Sequence, residues 1–105
     1  MIKVVHIKLV PYAEYIGRAT QDRPASPLAN PFKMRHENER DDVVAAYKAW
    51  LLDKLKKGDL PVRAELNRLY KLAKTGELLL GCYCAPKACH GDIIRQLLLN
   101  PPLRP

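Results

Sequence analysis

The sequence predicts a small single α/β domain, 1–105, in which a short, mainly parallel sheet of about three strands packs with about three helices. Three observations carry this. Two β-rich segments open the chain, Val4–Val10 and Glu14–Arg18. Two segments with helical apolar spacing fill the middle. A nearly continuous apolar run, ELLLGCYC, then leads through a loop into a third amphipathic stretch. A run of that kind marks a strand covered on both faces, as in a parallel sheet.

Val4–Val10 alternates weakly and is rich in β-branched residues, and Pro11 ends it. Glu14-Tyr15-Ile16-Gly17-Arg18 reads as a short second strand closed by Gly17. Residues 19–38 lack periodicity, and Pro24, Pro27 and Pro31 forbid helix there. So long a structureless loop in so small a domain points to a functional segment. Asp41–Lys57 is a helix with Val43, Val44, Tyr47, Trp50, Leu51 and Leu55 on one stripe. Its acidic start, lysine-rich end and Gly58 suit the helix dipole and a left-handed C-terminal stop. A second helix, Pro61–Lys74, starts on a proline and buries Val62, Leu66, Leu69, Leu72 and Ala73. Arg63, Arg68, Lys71 and Lys74 form its basic outer side. Glu77–Cys84 is the third strand, and His90–Leu99 the third helix, with Ile93, Ile94, Leu97 and Leu98 inward. NPPLRP, residues 100–105, is a tail.

The net charge is +7, with a pI near 9.5. That balance favours anionic partners: an anionic small molecule or nucleotide first, and nucleic acid second. No apolar run approaches the roughly 18 residues of a membrane span, and no signal-peptide pattern opens the chain. A cytoplasmic location without membrane contact is therefore expected. All three cysteines fall in CYCAPKACHGD. An odd count, with Cys82 and Cys84 too close for an easy disulfide, points to a reducing compartment or to metal or thiol chemistry.

That segment supports four readings. Cys82, Cys84, Cys89 and His90 make a chemically suitable tetrahedral zinc set, although zinc knuckles usually draw their second ligand pair from a distant segment. No cofactor is expected on the first reading of the chain, and zinc belongs to this alternative. Cys89 at a helix N-terminus, with Lys87 and His90 nearby, is a candidate reactive thiol, with Cys82 or Cys84 as a resolving partner. CHGDIIR also has C-x5-R spacing, but Ile93 and Ile94 belong to a core-facing side. The backbone of His90-Gly91-Asp92 could receive a phosphate or carboxylate, with Gly91 removing a side chain where a ligand approaches. Asp92 could cap the helix, accept a ribose hydroxyl or orient His90. Finally, the corner could simply be packed, cysteine being a small buried hydrophobe.

YIGR (Tyr15–Arg18), SPLANPF (Ser26–Phe32) and CYCAP with CHGD (Cys82–Asp92) together resemble an uncharacterised family of small bacterial and bacteriophage proteins, classed as a domain of unknown function. The last segment is also similar to a second uncharacterised family whose helix opens with Cys-His-Arg, where this chain has Gly91. The resemblance implies that YIGR, SPLANPF and CHGD belong to one site. Arg18 would clamp a phosphate or carboxylate with its planar fork. Ser26 and Asn30 would contact the ligand, Asn30 offering its amide to a base or sugar, unless that amide only stabilises a turn.

The expected function is binding of a nucleotide-like or other phosphate-bearing ligand at the CHGD loop. If the chain is an enzyme, it is a cysteine-dependent transferase or hydrolase acting on such a substrate. Cys89 is then the nucleophile, and His90 or Asp92 assists proton transfer. The alternative is a non-enzymatic basic module that binds nucleic acid or a host protein, its cysteine loop holding zinc or only structure.

Overall fold

Leu78–Cys82 (β3) runs between Ile2–His6 (β1) and Glu14–Tyr15 (β2), and all three strands are parallel. Three helices follow the expected order: Arg40–Lys57 (α1) and Leu60–Thr75 (α2) before β3, His90–Leu99 (α3) after it. The small α/β class predicted by the sequence is thus the one observed. The computed structural model describes residues 1–85 and 87–100. The tail expected at 100–105 lies outside the described residues apart from Asn100.

Strand lengths differ from the sequence pattern for a topological reason. β1 pairs from Ile2↔Leu78 to His6↔Cys82, so it starts and ends earlier than Val4–Val10. Its last rung is Ile7 N–H donating to the Cys82 carbonyl at 2.9 Å. The backbone then folds back, Leu9 and Val10 N–H both donating to the His6 carbonyl. β2 pairs only Glu14↔Leu80 and Tyr15↔Gly81 before Ile16 N–H reaches the Gly81 carbonyl. β3 itself ends at Cys82, and Tyr83 and Cys84 bend away. Pairing stops on both sides because the central strand stops.

Residues 7–13 carry the chain from one side of β3 to the other, a span of two strand spacings, about 10 Å. Ile7 and Ala13 of this connection are buried over Gly81. A Cβ at Gly81 would lie 2.5 Å from Ile7 Cδ1 and 3.2 Å from the Ala13 Cβ. The glycine lets the connection lie directly on the strand. This face of the sheet is closed by a loop. The other face carries the main core, where Ile2, Leu78, Leu80 and Cys82 meet Tyr47, Leu51 and Leu55 of α1, Val62 and Leu69 of α2, and Ile93, Ile94 and Leu98 of α3.

Helix ends follow local chemistry. Gly58 closes α1 at φ 74°, a left-handed conformation open to glycine without strain. Asp59 caps α2 by accepting from Val62 N–H at 3.2 Å, with Pro61 in the first turn. Leu72, expected inward, is exposed. The buried stripe of α2 runs Val62, Leu66, Leu69, Ala73, and Leu72 lies about 100° round the helix from Ala73.

The long loop is ordered by side chains. Leu28 is fully buried, and the Tyr47 hydroxyl, also buried, donates to its carbonyl at 2.7 Å. Arg18 donates through Nε to the Asn30 carbonyl and through Nη2 to that of Phe32. Glu37–Glu39 forms a short 3₁₀ turn that leads into α1.

Three substitutions test this packing. Gly81→Ala should cost about 1–3 kcal/mol in urea unfolding, because Ile7 and Ala13 must give way. Gly76→Ala, with nothing within 4 Å of the added carbon, should be neutral within about 0.5 kcal/mol. Tyr47→Phe should cost about 1–3 kcal/mol by leaving the Leu28 carbonyl buried and unpaired, and limited proteolysis should then cut within residues 19–38 first.

Candidate functional site

Three chain segments end at the same edge of the sheet: residues 16–18 after β2, residues 83–85 after β3, and the start of α3. In open parallel sheets this carboxyl edge is where loops and helix N-termini leave room for ligands. A cleft of about 320 Å³ lies there. Arg18, Asn30, Cys82, Cys84, Cys89 and His90 all line it, so the structure brings together six of the residues singled out from sequence. Phe32, Arg40 and Tyr83 complete much of the wall. No aspartate or glutamate is among the described lining residues.

The start of α3 is built from its own side chains. Cys89 is the N-cap, extended at φ −156°, and its Sγ accepts from Gly91 N–H at 3.3 Å. Asp92 Oδ2 accepts in return from Cys89 N–H at 3.0 Å. This reciprocal arrangement satisfies orphan donors of the first turn. Asp92 is therefore a capping residue, and it does not line the cleft. Gly91 faces the sheet. A Cβ there would meet Val4 Cγ1 at 2.9 Å and Ile16 Cδ1 at 3.1 Å, so glycine permits close helix–sheet packing. Ser26 also lies off the cleft wall, its Oγ accepting from Leu28 N–H at 3.1 Å. Asn30 lines the cleft while its Oδ1 accepts from Phe32 N–H at 2.9 Å, the turn-stabilising role.

His90 is buried, and its Nε2–H donates to the Ile16 carbonyl at 2.7 Å. A carbonyl can only accept, so this bond fixes the tautomer. Burial, first, and then the nearby Arg18 hold the imidazole below its usual pKa, keeping it neutral. Tyr47 packs edge-on against it, ring centroids 5.1 Å apart. His90 thereby ties the start of α3 to the end of β2. Among the described residues, no group of three or more His, Cys, Asp or Glu side chains is arranged to hold a metal ion.

The sulfurs form a cluster. Cys82 Sγ and Cys89 Sγ are 3.4 Å apart, both buried. Cys84, half-buried, lines the same cleft as Cys82, Cys89 and Arg40. The Cys89 S–H, then Arg40, then the charge of Arg18 bring the Cys84 thiol down to about 6. Cys82 is lowered too, chiefly by the same Cys89 S–H and by the N–H groups of Cys84 and Ala85. A thiol has one proton to donate, so Cys89 serves one neighbour at a time. The arginines and greater exposure favour Cys84 as the thiolate. Cys89 itself is pushed strongly up, because ionising it would forfeit those donated bonds and set a second charge beside the first.

Arg40 was not apparent as a site residue from sequence, where it belongs to an acidic helix start. Its Nε and Nη2 donate to the Glu37 carboxylate, and its Nη1 reaches the Ala88 carbonyl at 2.6 Å. The sequence separation to Ala88 is 48 residues, and no local pattern announces it. Arg40 and Lys87 hold Glu37 down to about 2. Arg18, by contrast, has no carboxylate within ion-pair distance among the described residues.

The model of the family described as Domain of unknown function (DUF4326) matches residues 3–100. No curated protein and no solved structure matches the chain. With almost its whole length covered, the chain belongs to the DUF4326 family.

Proposed function

We propose that the cleft binds a small phosphate-bearing, nucleotide-like anion, and that Cys84 acts there as the nucleophilic thiolate of a cysteine-dependent transferase or hydrolase. The observation that carries this reading is Arg18: a guanidinium on the cleft wall whose hydrogen-bonded partners are neutral carbonyls, leaving its charge without a carboxylate. Its Nη1 has no partner among the described residues and is available to a phosphate oxygen. Exposed Phe32 and Tyr83 offer apolar faces on the same cleft for a base or another ring.

Within this proposal the thiolate moves from Cys89 to Cys84. Cys89 caps α3 and is buried, and its S–H supports the neighbouring charge. Cys84 is more open and lines the cleft with Arg40. His90, neutral and committed to Ile16, positions the cleft wall, and Asp92 holds the cap. Catalysis by displacement would need only the Cys84 sulfur and the guanidinium groups to stabilise developing charge.

Thermal-shift and calorimetric titrations with inorganic phosphate, ribose 5-phosphate and nucleoside monophosphates, alongside uncharged nucleosides, test the binding half. Phosphorylated ligands should bind, Arg18→Gln should abolish the effect, and Arg18→Lys should keep a weaker one. A labelled oligonucleotide in the same series gives the competing outcome. Binding to it that falls steeply with salt and survives Arg18→Gln would replace this reading with that of a nucleic-acid module.

Alkylation by iodoacetamide tests the thiolate half. Cys84 should react fastest, with a rate midpoint near pH 6, well below an ordinary thiol near 8.5. A folded-state pKa depressed in this way contributes stability above the unfolded value and loses it as pH falls through the folded one. The melting-temperature difference between the wild type and Cys84→Ser should therefore grow from pH 5 to pH 9. Labelling of Cys84 no faster than a peptide thiol would end the assignment.

A further inference from the structure

The proposed displacement chemistry uses one sulfur. The structure holds three, and the other two are buried at the same cleft. Cys89 lies 3.4 Å from Cys82, and Cys84 lines the same cleft. A solvent-reachable sulfur beside a buried thiol, with guanidinium groups around the outer one, is the arrangement of a thiol that is oxidised and then resolved. Core packing alone explains Cys82 and Cys89. It does not explain why the half-buried third sulfur sits at the arginine-lined mouth.

We propose that Cys84 reduces hydroperoxides and that Cys89 resolves the product as an intramolecular disulfide on the cleft floor. This rests on the assignment of Cys84 as the thiolate, and not on the identity of any anionic ligand.

The Cys84 sulfur attacks the terminal oxygen of R–O–O–H. An S–O bond forms, the O–O bond breaks, and its electron pair leaves with RO⁻, which takes a proton from water to become an alcohol (or water, from hydrogen peroxide). Arg18, and Arg40 paired with Glu37, line the same cleft and would stabilise that leaving charge. Cys84 is now a sulfenic acid and carries no negative charge. The principal cause holding the Cys89 proton, its bond to Cys82, remains, while the secondary contribution of Cys84 is weakened. The Cys89 sulfur then attacks the Cys84 sulfur. The S–S bond forms, the S–O bond breaks, and hydroxide leaves with the Cys89 proton as water. In sum, one hydroperoxide and two thiols give one alcohol, one water and one disulfide. Cys82 can afterwards attack Cys89 and pass the bridge inward, regenerating the Cys84 thiol.

The disulfide also reaches the helix. In the reduced protein Cys89 Sγ accepts from Gly91 N–H as the N-cap of α3. Bridging turns that sulfur toward Cys84 or Cys82 and weakens the cap. Oxidation therefore closes the cleft floor and loosens the turn that carries His90.

Stoichiometric hydrogen peroxide followed by intact-mass analysis and disulfide mapping reads each step. The wild type should lose two hydrogens and show one bridge involving Cys89, to Cys84 or, after exchange, to Cys82. Cys89→Ser keeps a good N-cap residue and so the fold. It should stop at a Cys84 sulfenic acid that dimedone traps, and excess peroxide should drive it to the sulfinic acid. Cys84→Ser should consume peroxide at least roughly tenfold more slowly than the wild type. Sulfinic acid at Cys84 in the wild type without any bridge would overturn the inference, as would a Cys84→Ser variant that reacts at the wild-type rate. Iodoacetamide rates on the same samples separate the two proposals. Fast alkylation of Cys84 without a disulfide removes the resolving role alone, whereas slow alkylation removes the thiolate and everything built on it.

Discussion

The hydrogen bond from His90 Nε2 to the Ile16 carbonyl joins segments 74 residues apart, and the site depends on it. β2 contributes only two paired residues, too little to fix the direction of the chain that follows. Ile16 N–H is held by the Gly81 carbonyl on one side, and the Ile16 carbonyl by His90 on the other. With both backbone groups of Ile16 pinned, Gly17 and Arg18 have one course, along the mouth of the cleft. Losing the imidazole would leave a buried carbonyl unpaired, at about 1–3 kcal/mol. It would also release Arg18, and with it the Asn30–Phe32 segment that Arg18 holds.

The same bond explains how a helix N-terminus, usually a reserve of free donors, here becomes a fixed wall. Cys89 and Asp92 satisfy each other across the first turn, Gly91 lets α3 settle against Val4 and Ile16, and His90 points back into the sheet. Little of that turn is left for a ligand. The positive character of the cleft comes instead chiefly from Arg18, since Arg40, which arrives from another segment, is paired with Glu37. The sulfurs sit between them, and their charge is decided by which neighbour donates the single Cys89 proton.

Much of the site was legible in the sequence because its signals are local. Cysteine, histidine, glycine and aspartate at the entry to a helix, and an asparagine between prolines, mark a loop that does something. Their division of labour was not legible. Asp92 and Gly91 look like ligand contacts by type and serve the cap and the helix–sheet contact. Cys84 looks like another strand residue in ELLLGCYC, yet β3 ends at Cys82 and the bend leaves Cys84 on the cleft wall with Arg40. Arg40 gave no sign at all, since its link to Ala88 depends on how α1 crosses the end of the sheet.

By itself the sequence determined the α/β class, the order of its elements and the segments that carry polar chemistry. Periodicity, prolines and capping residues act over a few positions, and that information is written in the chain. Strand ends, the closing of one sheet face by residues 7–13 over Gly81, and the choice of which sulfur holds a charge were decided only by the tertiary structure. Each of these depends on distances between residues far apart in sequence, and on burial and proton sharing that exist only once those residues meet.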